Sequence, residues 1–170
     1  VEVRIPWWRE QTYYDHEGRG TFERDGGGVL ITQAIHTLDI MLLLCGPVKE
    51  VHGMVHTSSF HQLEAEDFSG ALLNFESGAR GTLMASTTHF PGHKEEIILN
   101  CSEATVNISG ADLKVFYHNG KIESLETDSQ TGSGSDPMDF SYTWHANVIE
   151  QFWTQSVSYT HLRAHETVHY

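Results

Sequence analysis

Between Val29 and Leu44, apolar side chains recur every three or four residues along the chain. This spacing places them on one side of an α-helix and predicts a single long helix over the segment. Gly46 and Pro47 follow directly, and this pair is typical of a helix end. The apolar residues that define the helix are Val29, Leu30, Ile35, Leu38, Met41, Leu42 and Leu44.

After Pro47 the pattern changes to short apolar runs separated by Gly, Ser and Asn, which is typical of strands and turns. The first eight residues form a similar run, and helical spacing returns over residues 138–155. Strands that follow one another directly form an antiparallel sheet. We therefore predict an α+β fold, in which an open, mainly antiparallel sheet of about six strands has a long helix before it and a shorter helix after it.

The composition indicates one globular domain that acts neither on nucleic acid nor on membranes. The 170 residues are 39% hydrophobic, which is enough for a core, and they carry a net charge of −13. A chain this acidic offers no basic face to nucleic-acid phosphates or to anionic lipids. No apolar run approaches the roughly 20 residues of a membrane span, and the first residues lack the apolar run of a leader peptide. We expect a cytoplasmic protein.

Three consecutive glycines, Gly26 to Gly28, precede the predicted helix. Backbone amides at a helix N-terminus bind phosphate in several protein classes. These glycines do not follow the G-x-G-x-x-G pattern, and no parallel sheet is predicted around them. The favoured interpretation is that they allow a tight turn and a close approach of the helix start to another segment.

One edge of the otherwise apolar helix is polar. Thr32 and His36 are four residues apart, Gln33 is next to Thr32, and Asp39 lies one turn beyond His36. A lone histidine in such a helix is usually a core residue with its hydrogen bonds satisfied. Four polar groups on one edge favour a functional surface, because a neutral imidazole exchanges protons near neutral pH and Asp39 can orient it.

Other candidates lie outside the helix. The loop before it holds Arg9 and Tyr13, which either line a sugar pocket or belong to a solvated loop. Glu66 and Asp67 are adjacent, and adjacent residues of a strand point to opposite faces. A role at a turn or strand start is therefore favoured for them over acid catalysis. The scattered histidines show no metal-ligand spacing, so we predict no metal site.

The last residues, 156–170, do not continue the pattern of the second helix. His161, His165 and His169 are spaced four residues apart, which by itself suggests zinc. However, Val157 to Thr167 resemble the translated read-through of a transposon-derived sequencing adapter, a contaminant of metagenomic contigs. We therefore exclude residues 156–170 from the native fold and take residues 1–155 as one domain.

The chain resembles, over residues 1–155, the C-terminal domain of the Gfo/Idh/MocA oxidoreductases, the family of glucose–fructose oxidoreductase and inositol dehydrogenase. The segment "DGGGVLITQAIHTLDIMLLLCGPVKEV" resembles the helix that opens this domain. The segment "EAEDFSGALLNFESGARGTLMASTT" resembles a strand pair of the family, and "WWREQTYY" and "HANVIEQF" fit as well. The resemblance is specific because these motifs occur in order and at the spacing of the family.

The resemblance implies a domain for substrate binding and oligomerisation that works beside an N-terminal Rossmann domain holding NAD or NADP. Neither the glycine fingerprint nor the E-K-P motif of that domain is in this sequence, so we expect a fragment that is inactive alone. His36 is then expected to take the proton of a sugar, sugar-nucleotide or cyclitol hydroxyl while hydride passes to the nicotinamide. A homo-oligomer is expected to form through an exposed sheet face. The residues expected to contact the substrate are Thr32, Gln33, Asp39, Arg9 and Tyr13.

Thr32 departs from the family pattern, because many members have an aspartate four residues before the histidine. Threonine forms hydrogen bonds but holds no negative charge. Members that act on nucleotide sugars or N-acetyl sugars often have an uncharged residue there followed by glutamine, which favours such a substrate. Two other functions stay open at this point: an NAD-dependent glycosidase of the same family, and a non-catalytic binding or dimerisation module.

Overall fold

The computed structural model describes residues 1–126, 142 and 146–154. The chain divides into two compact units, residues 1–139 and 140–170. In the second unit, residues 146–154 form a helix, which falls within the shorter helix predicted for residues 138–155. The tail assigned to an adapter, residues 156–170, lies outside the described residues.

The first unit contains four helices and eight strands in its described part. The helices are α1 (Gln11–Tyr14), α2 (Phe22–Asp25), α3 (Val29–Thr32) and α4 (Ile35–Cys45). The strands are β1 (Glu2–Pro6), β2 (Val48–His56), β3 (Phe68–Phe75), β4 (Arg80–Ser86), β5 (Glu96–Asn100), β6 (Ala104–Ser109), β7 (Asp112–Tyr117) and β8 (Ile122–Leu125).

The strands form one mixed sheet in the order β2-β3-β4-β1-β5-β6-β7-β8. The α+β class is confirmed, but the predicted number of about six strands is wrong, because all eight short apolar runs pair into the sheet. The expectation of a mainly antiparallel sheet needs one correction as well. Strand β1 inserts between β4 and β5 and runs parallel to β4. Local alternation predicts a strand but not the distant strand beside which it lies.

The predicted long helix is two helices, α3 and α4, which are separated at Gln33 and Ala34. The carbonyl of Val29 accepts the N–H of Gln33 at 3.2 Å and also that of Ala34 at 2.9 Å. The second bond reaches five residues back instead of four, so the turn widens and the helix path breaks. The apolar spacing continues across the break, which is why the sequence pattern predicts one helix.

The core lies between one face of the sheet and helices α3 and α4. Along β1, Val3 and Ile5 are buried while Glu2 and Arg4 are exposed on the other, open face. The buried cluster consists of Val3, Ile5, Val29, Ala34, Met41, Leu73, Phe75, Leu83, Ala85 and Ile97.

The open face carries exposed apolar side chains at one end of the strand order. Met54 and Leu72, on β2 and β3, are 66% and 61% exposed. Such a patch is typical of an interaction surface, and the homo-oligomer stays a prediction. No single helix in the described ranges is long and apolar enough to span a membrane; residues 22–32 and 35–45 reach that length and composition only as a pair, across a bend of 49°.

Candidate functional site

The start of α3 is occupied by a neighbouring segment of the same chain. The Glu66 carboxylate accepts the N–H groups of Gly28 at 3.0 Å and Leu30 at 3.2 Å, and its carbonyl accepts the N–H of Val29 at 2.9 Å. A Cβ at Gly28 would overlap the Glu66 carbonyl oxygen. The glycines therefore permit a close approach, as predicted, and these amides are not available to a phosphate. Glu66 lies two residues before the start of β3, and its negative charge stabilises the start of α3.

Gln33 lies at the break between the two helices and connects several of the predicted site residues. Its side chain is only 5% exposed, and its Nε2 donates to the Tyr13 hydroxyl at 3.4 Å. The Thr32 hydroxyl contacts Gln33 Oε1 and lies 2.7 Å from the Gly28 carbonyl. Because that hydroxyl carries one proton, it donates to one of these two acceptors at a time.

Arg9 contacts Tyr13, the member of this group of side chains that lies on α1. Its side chain is buried, and its guanidinium carbon lies 5.4 Å from the centre of the Tyr13 ring and 5.0 Å from that of Trp7. Arg19 lies over Tyr13 at 4.0 Å, so two cations face this ring. We call Arg9, Tyr13, Thr32 and Gln33 the Gln33 cluster.

The Gln33 cluster encloses little free space. The cavity between α1 and α3, lined in part by Tyr13, Thr32 and Gln33, has a volume of about 10 Å³. This is room for no more than about one water molecule. No molecule larger than water therefore fits within the cluster.

His36 and Asp39 lie on the exposed side of α4, just beyond the cluster. His36 is the second residue of the helix, three residues after Gln33. Neither side chain makes a hydrogen bond or ion pair with any other residue in the described part of the chain. The predicted pairing of Asp39 with His36 is therefore not formed here, and the imidazole is accessible to a ligand.

A buried ion pair, which sequence reasoning missed, supports the loop that carries Arg9. Asp67 is fully buried and accepts hydrogen bonds from the Ser58 N–H at 2.8 Å, the Ser58 hydroxyl at 2.6 Å and His61 Nδ1 at 2.8 Å. His61 Nε2 lies 2.9 Å from the Arg9 carbonyl oxygen. Both ring nitrogens of His61 therefore lie within hydrogen-bonding distance of an oxygen atom. Only six residues separate the pair, but the spacing matches no known motif.

Tyr14 is buried beside this ion pair, and its hydroxyl lies 2.8 Å from Thr87 Oγ1. Burial raises the pKa of Tyr14 from 10.0 to about 12. The unfolded chain releases this proton near pH 10 and the folded chain near pH 12. The contribution of Tyr14 to the free energy of unfolding is therefore present below pH 10 and is lost as the pH rises towards 12.

Between pH 10 and pH 12 we expect Tyr14 to lower the free energy of unfolding by about 2–3 kcal/mol. The Tyr14→Phe variant is expected to lack this decrease. Urea unfolding of both proteins at intervals between pH 9 and 12 measures the difference. Lysines and the other tyrosines titrate in both proteins, so only the difference between them reports Tyr14. Equal losses in the two proteins would contradict the burial of an uncharged phenol.

Two further histidines lie away from the Gln33 cluster. His89 and His93 lie in the loop between β4 and β5 and border a cavity on the open face of the sheet, opposite α3 and α4. Among the residues that the structure describes, no group of three His, Cys, Asp or Glu side chains is arranged to hold a metal ion.

Comparison with known proteins decides the family. The family model of the GFO/IDH/MocA C-terminal domain matches residues 1–107. The chain belongs to the GFO/IDH/MocA family. The matched residues include α4 with His36, the whole Gln33 cluster, and the Glu66–Asp67 segment.

Among solved structures, the chain is similar to the WlbA dehydrogenase from Bordetella pertussis in complex with NADH and UDP-GlcNAcA. The identity is 33% and the TM-score 0.61, over 65% of this chain and 34% of that chain. WlbA from Chromobacterium violaceum, in complex with the same two ligands, has 28% identity and a TM-score of 0.63, over 88% of this chain and 43% of that chain. The chain thus spans less than half the length of either WlbA.

A more distant GFO/IDH/MocA structure shares the fold. Levoglucosan dehydrogenase, in complex with NADH and levoglucosan, is 15% identical with a TM-score of 0.61, over 79% of this chain and 41% of that chain. No curated protein matches the chain in sequence.

NAD(P) is the cofactor of the GFO/IDH/MocA family, and the structures named above contain NADH. The described residues of this chain do not fit a dinucleotide. The sequence contains no G-x-G-x-x-G pattern. The backbone N–H groups at the start of α3 already donate to the Glu66 carboxylate.

Proposed function

We propose that this chain is the substrate-binding half of an NAD(P)-dependent dehydrogenase that oxidises a hydroxyl group of a sugar nucleotide. The observation that carries the proposal is the position of His36. It lies exposed in the first turn of α4, next to the Gln33 cluster, within the segment that matches the family domain. An accessible imidazole beside fixed hydrogen-bonding groups has the chemistry required to move a proton of a bound alcohol.

His36 acts as the proton acceptor in this proposal. Oxidation of an alcohol removes a proton from the oxygen and a hydride from the carbon, and the hydride acceptor is the NAD(P) of the family. A neutral imidazole takes up the proton at physiological pH. The absence of a hydrogen bond from another described residue leaves both ring nitrogens of His36 open to the substrate.

The Gln33 cluster positions the substrate in this proposal. The Tyr13 hydroxyl and the Thr32 hydroxyl form the polar ends of the cluster, and buried Gln33 holds them in a fixed relation. Groups whose geometry is set before binding orient a substrate at a lower entropic cost than mobile groups. Arg9 acts through Tyr13, whose ring it contacts.

Two observations support a sugar nucleotide as the substrate. Thr32 introduces no negative charge beside His36, which suits a substrate that is itself anionic. The WlbA structures, with 33% and 28% identity, contain UDP-GlcNAcA. A neutral cyclitol is the less favoured substrate for the same reasons.

The exposed apolar surface of α4 indicates that a further element covers the site. Near His36, Ile35 and Ile40 are 39% and 44% exposed, and Leu43 is 84% exposed. A cover that excludes water strengthens the electrostatic interactions of a reacting group. We infer that the domain carrying the dinucleotide packs over this side of α4.

The test is the formation of NADH by the full-length protein with a panel of hydroxyl substrates at equal concentration. We expect a UDP-linked N-acetylamino uronic acid to give the highest kcat/KM, and myo-inositol to give a value at least tenfold lower. A higher value for myo-inositol would contradict the substrate class. Release of an aglycone without net formation of NADH, or no turnover of any hydroxyl compound, would contradict the dehydrogenase.

A further inference from the structure

A second polar site lies on the open face of the sheet, away from His36. The loop between β4 and β5 folds back along the end of β1 and is fixed by backbone hydrogen bonds. The N–H of His89 donates to the Trp7 carbonyl at 3.0 Å, and the N–H of His93 donates to the Pro6 carbonyl at 2.9 Å. The loop therefore presents its side chains from a fixed backbone.

The loop and the sheet enclose a cavity of about 450 Å³. Arg4, Glu96 and Ser109 are register partners on β1, β5 and β6 and form its floor. His89 and His93 contribute from the loop, with ring centres 5.4 Å apart. The cavity is lined by Arg4, Pro6, His89, His93, Lys94, Glu96 and Ser109.

Basic side chains gather at this cavity, although the chain as a whole is acidic. The chain has a net charge of −13, yet this cavity gathers Arg4, Lys94 and two histidines around one carboxylate. Arg4 Nη1 lies 3.6 Å from Glu96 Oε2, which is an ion pair but too long for a hydrogen bond. Its guanidinium has five N–H donors, so this carboxylate leaves most of them available.

The two imidazoles also have unused hydrogen-bonding capacity. The His89 and His93 side chains contact each other through their rings. Within the described ranges, no ring nitrogen of His89 or His93 forms a hydrogen bond with another residue. Lys94 Nζ lies 3.2 Å from Asp112 Oδ2, so the carboxylate of Asp112 partly neutralises the charge of Lys94.

We propose that this cavity binds the phosphoryl group of a small phosphorylated molecule or free phosphate. Arginine and imidazole N–H groups are the donors that recognise phosphate oxygens, and a charged donor doubles the strength of such a bond. The volume exceeds that of one phosphate, so a sugar or similar group fits beside it. The site lies on the opposite face of the sheet from α4 and is independent of the proposed reaction.

The site is also separate from the apolar patch on which a homo-oligomer is expected. That patch contains Met54 and Leu72 on β2 and β3, whereas the cavity lies at β1, β5 and β6. Strand β4 lies between the two areas in the order of the sheet.

Isothermal titration of the full chain with inorganic phosphate, and separately with glucose 1-phosphate, tests the proposal. We expect saturable binding that Arg4→Gln and His93→Asn each weaken at least tenfold. Both side chains are exposed, so the variants fold, which circular dichroism verifies. Tighter binding of glucose 1-phosphate assigns the site to a phosphorylated metabolite, and equal or tighter binding of inorganic phosphate assigns it to the free ion.

Two matched variants outside the cavity serve as controls. Arg80→Gln changes an exposed arginine of β4 whose side chain hydrogen-bonds only to its own turn among described residues, and His52→Asn changes an exposed histidine of β2. Both are expected to bind phosphate as the unchanged chain does. Absence of saturable binding, or equal affinities in the cavity variants and the controls, would overturn the proposal.

Discussion

Replacing His36 by alanine is expected to lower kcat of the full-length dehydrogenase by about 10²–10⁴, the usual contribution of a positioned acid or base. The imidazole is the proton acceptor of the proposed reaction, and no other described histidine lies on the exposed side of α4. Because His36 is exposed and bonds to no described residue, the variant is expected to fold normally. Steady-state turnover with the preferred substrate measures the effect.

His52→Ala provides the matched control for this variant. His52 is exposed on β2 and pairs only with Glu50 among described residues, at 3.2 Å. Its replacement removes an imidazole of similar exposure without touching α4, so kcat is expected to stay within about twofold of the unchanged enzyme, which is the effect of a change outside the site. Turnover of the His36→Ala enzyme close to that of the control would refute the assignment.

Replacing Asp67 by alanine is expected to lower the free energy of unfolding by about 3–5 kcal/mol, because it removes one partner of a buried pair and leaves the His61 ring without its carboxylate. Two hydrogen bonds from Ser58 are lost as well. The change also releases His61 from its fixed position between Asp67 and the Arg9 carbonyl. Urea unfolding, monitored by tryptophan fluorescence, measures the loss.

Asp39→Ala is the control for Asp67→Ala, since Asp39 is an exposed carboxylate with no ion pair among the described residues. It is expected to change the free energy of unfolding by less than about 0.5 kcal/mol, as is usual for surface positions. If the two variants were equally stable, the Asp67–His61 pair would not be a structural ion pair.

This ion pair also links the stability of the domain to its site. His61 holds the carbonyl of Arg9, and the Arg9 guanidinium packs on the ring of Tyr13. A loosened loop therefore moves Tyr13 relative to Gln33. In the proposed function, the buried pair therefore acts on the Gln33 cluster only through the backbone of Arg9.

The periodicity of the chain predicted the positions of its elements well, because burial on one side leaves a local signature. Alternation along β1, where Val3 and Ile5 face the core, is visible without any knowledge of the fold. The place of β1 between β4 and β5 depends on pairing with residues about 80 positions away, such as Val3 with Leu83, and alternation contains no information about distant partners. The break at Gln33 was missed for a related reason, since a change in the hydrogen-bond ladder leaves the apolar spacing intact.

The contact between Thr32 and Gln33 was predictable because the two residues are adjacent along the chain. His36 lies on α4, beyond the break after α3, and its role stays a prediction. The hydrogen bond from the Gly28 N–H to the Glu66 carboxylate joins residues 38 positions apart along the chain. The glycines predicted a close approach of another segment but not which segment. The hydrogen bond from His61 to the Arg9 carbonyl spans 52 positions, and no local pattern signals it.

Single-turnover kinetics test most directly whether His36 moves the proton of the substrate hydroxyl. The measurement is the rate of NADH appearance when the full-length enzyme, loaded with NAD and in excess over the substrate, oxidises one equivalent of sugar nucleotide. We expect His36→Ala to slow this rate by about 10²–10⁴, and added imidazole to restore part of it. An unchanged single-turnover rate in His36→Ala, or a slowed rate that imidazole does not raise, would contradict the role of His36 as proton acceptor.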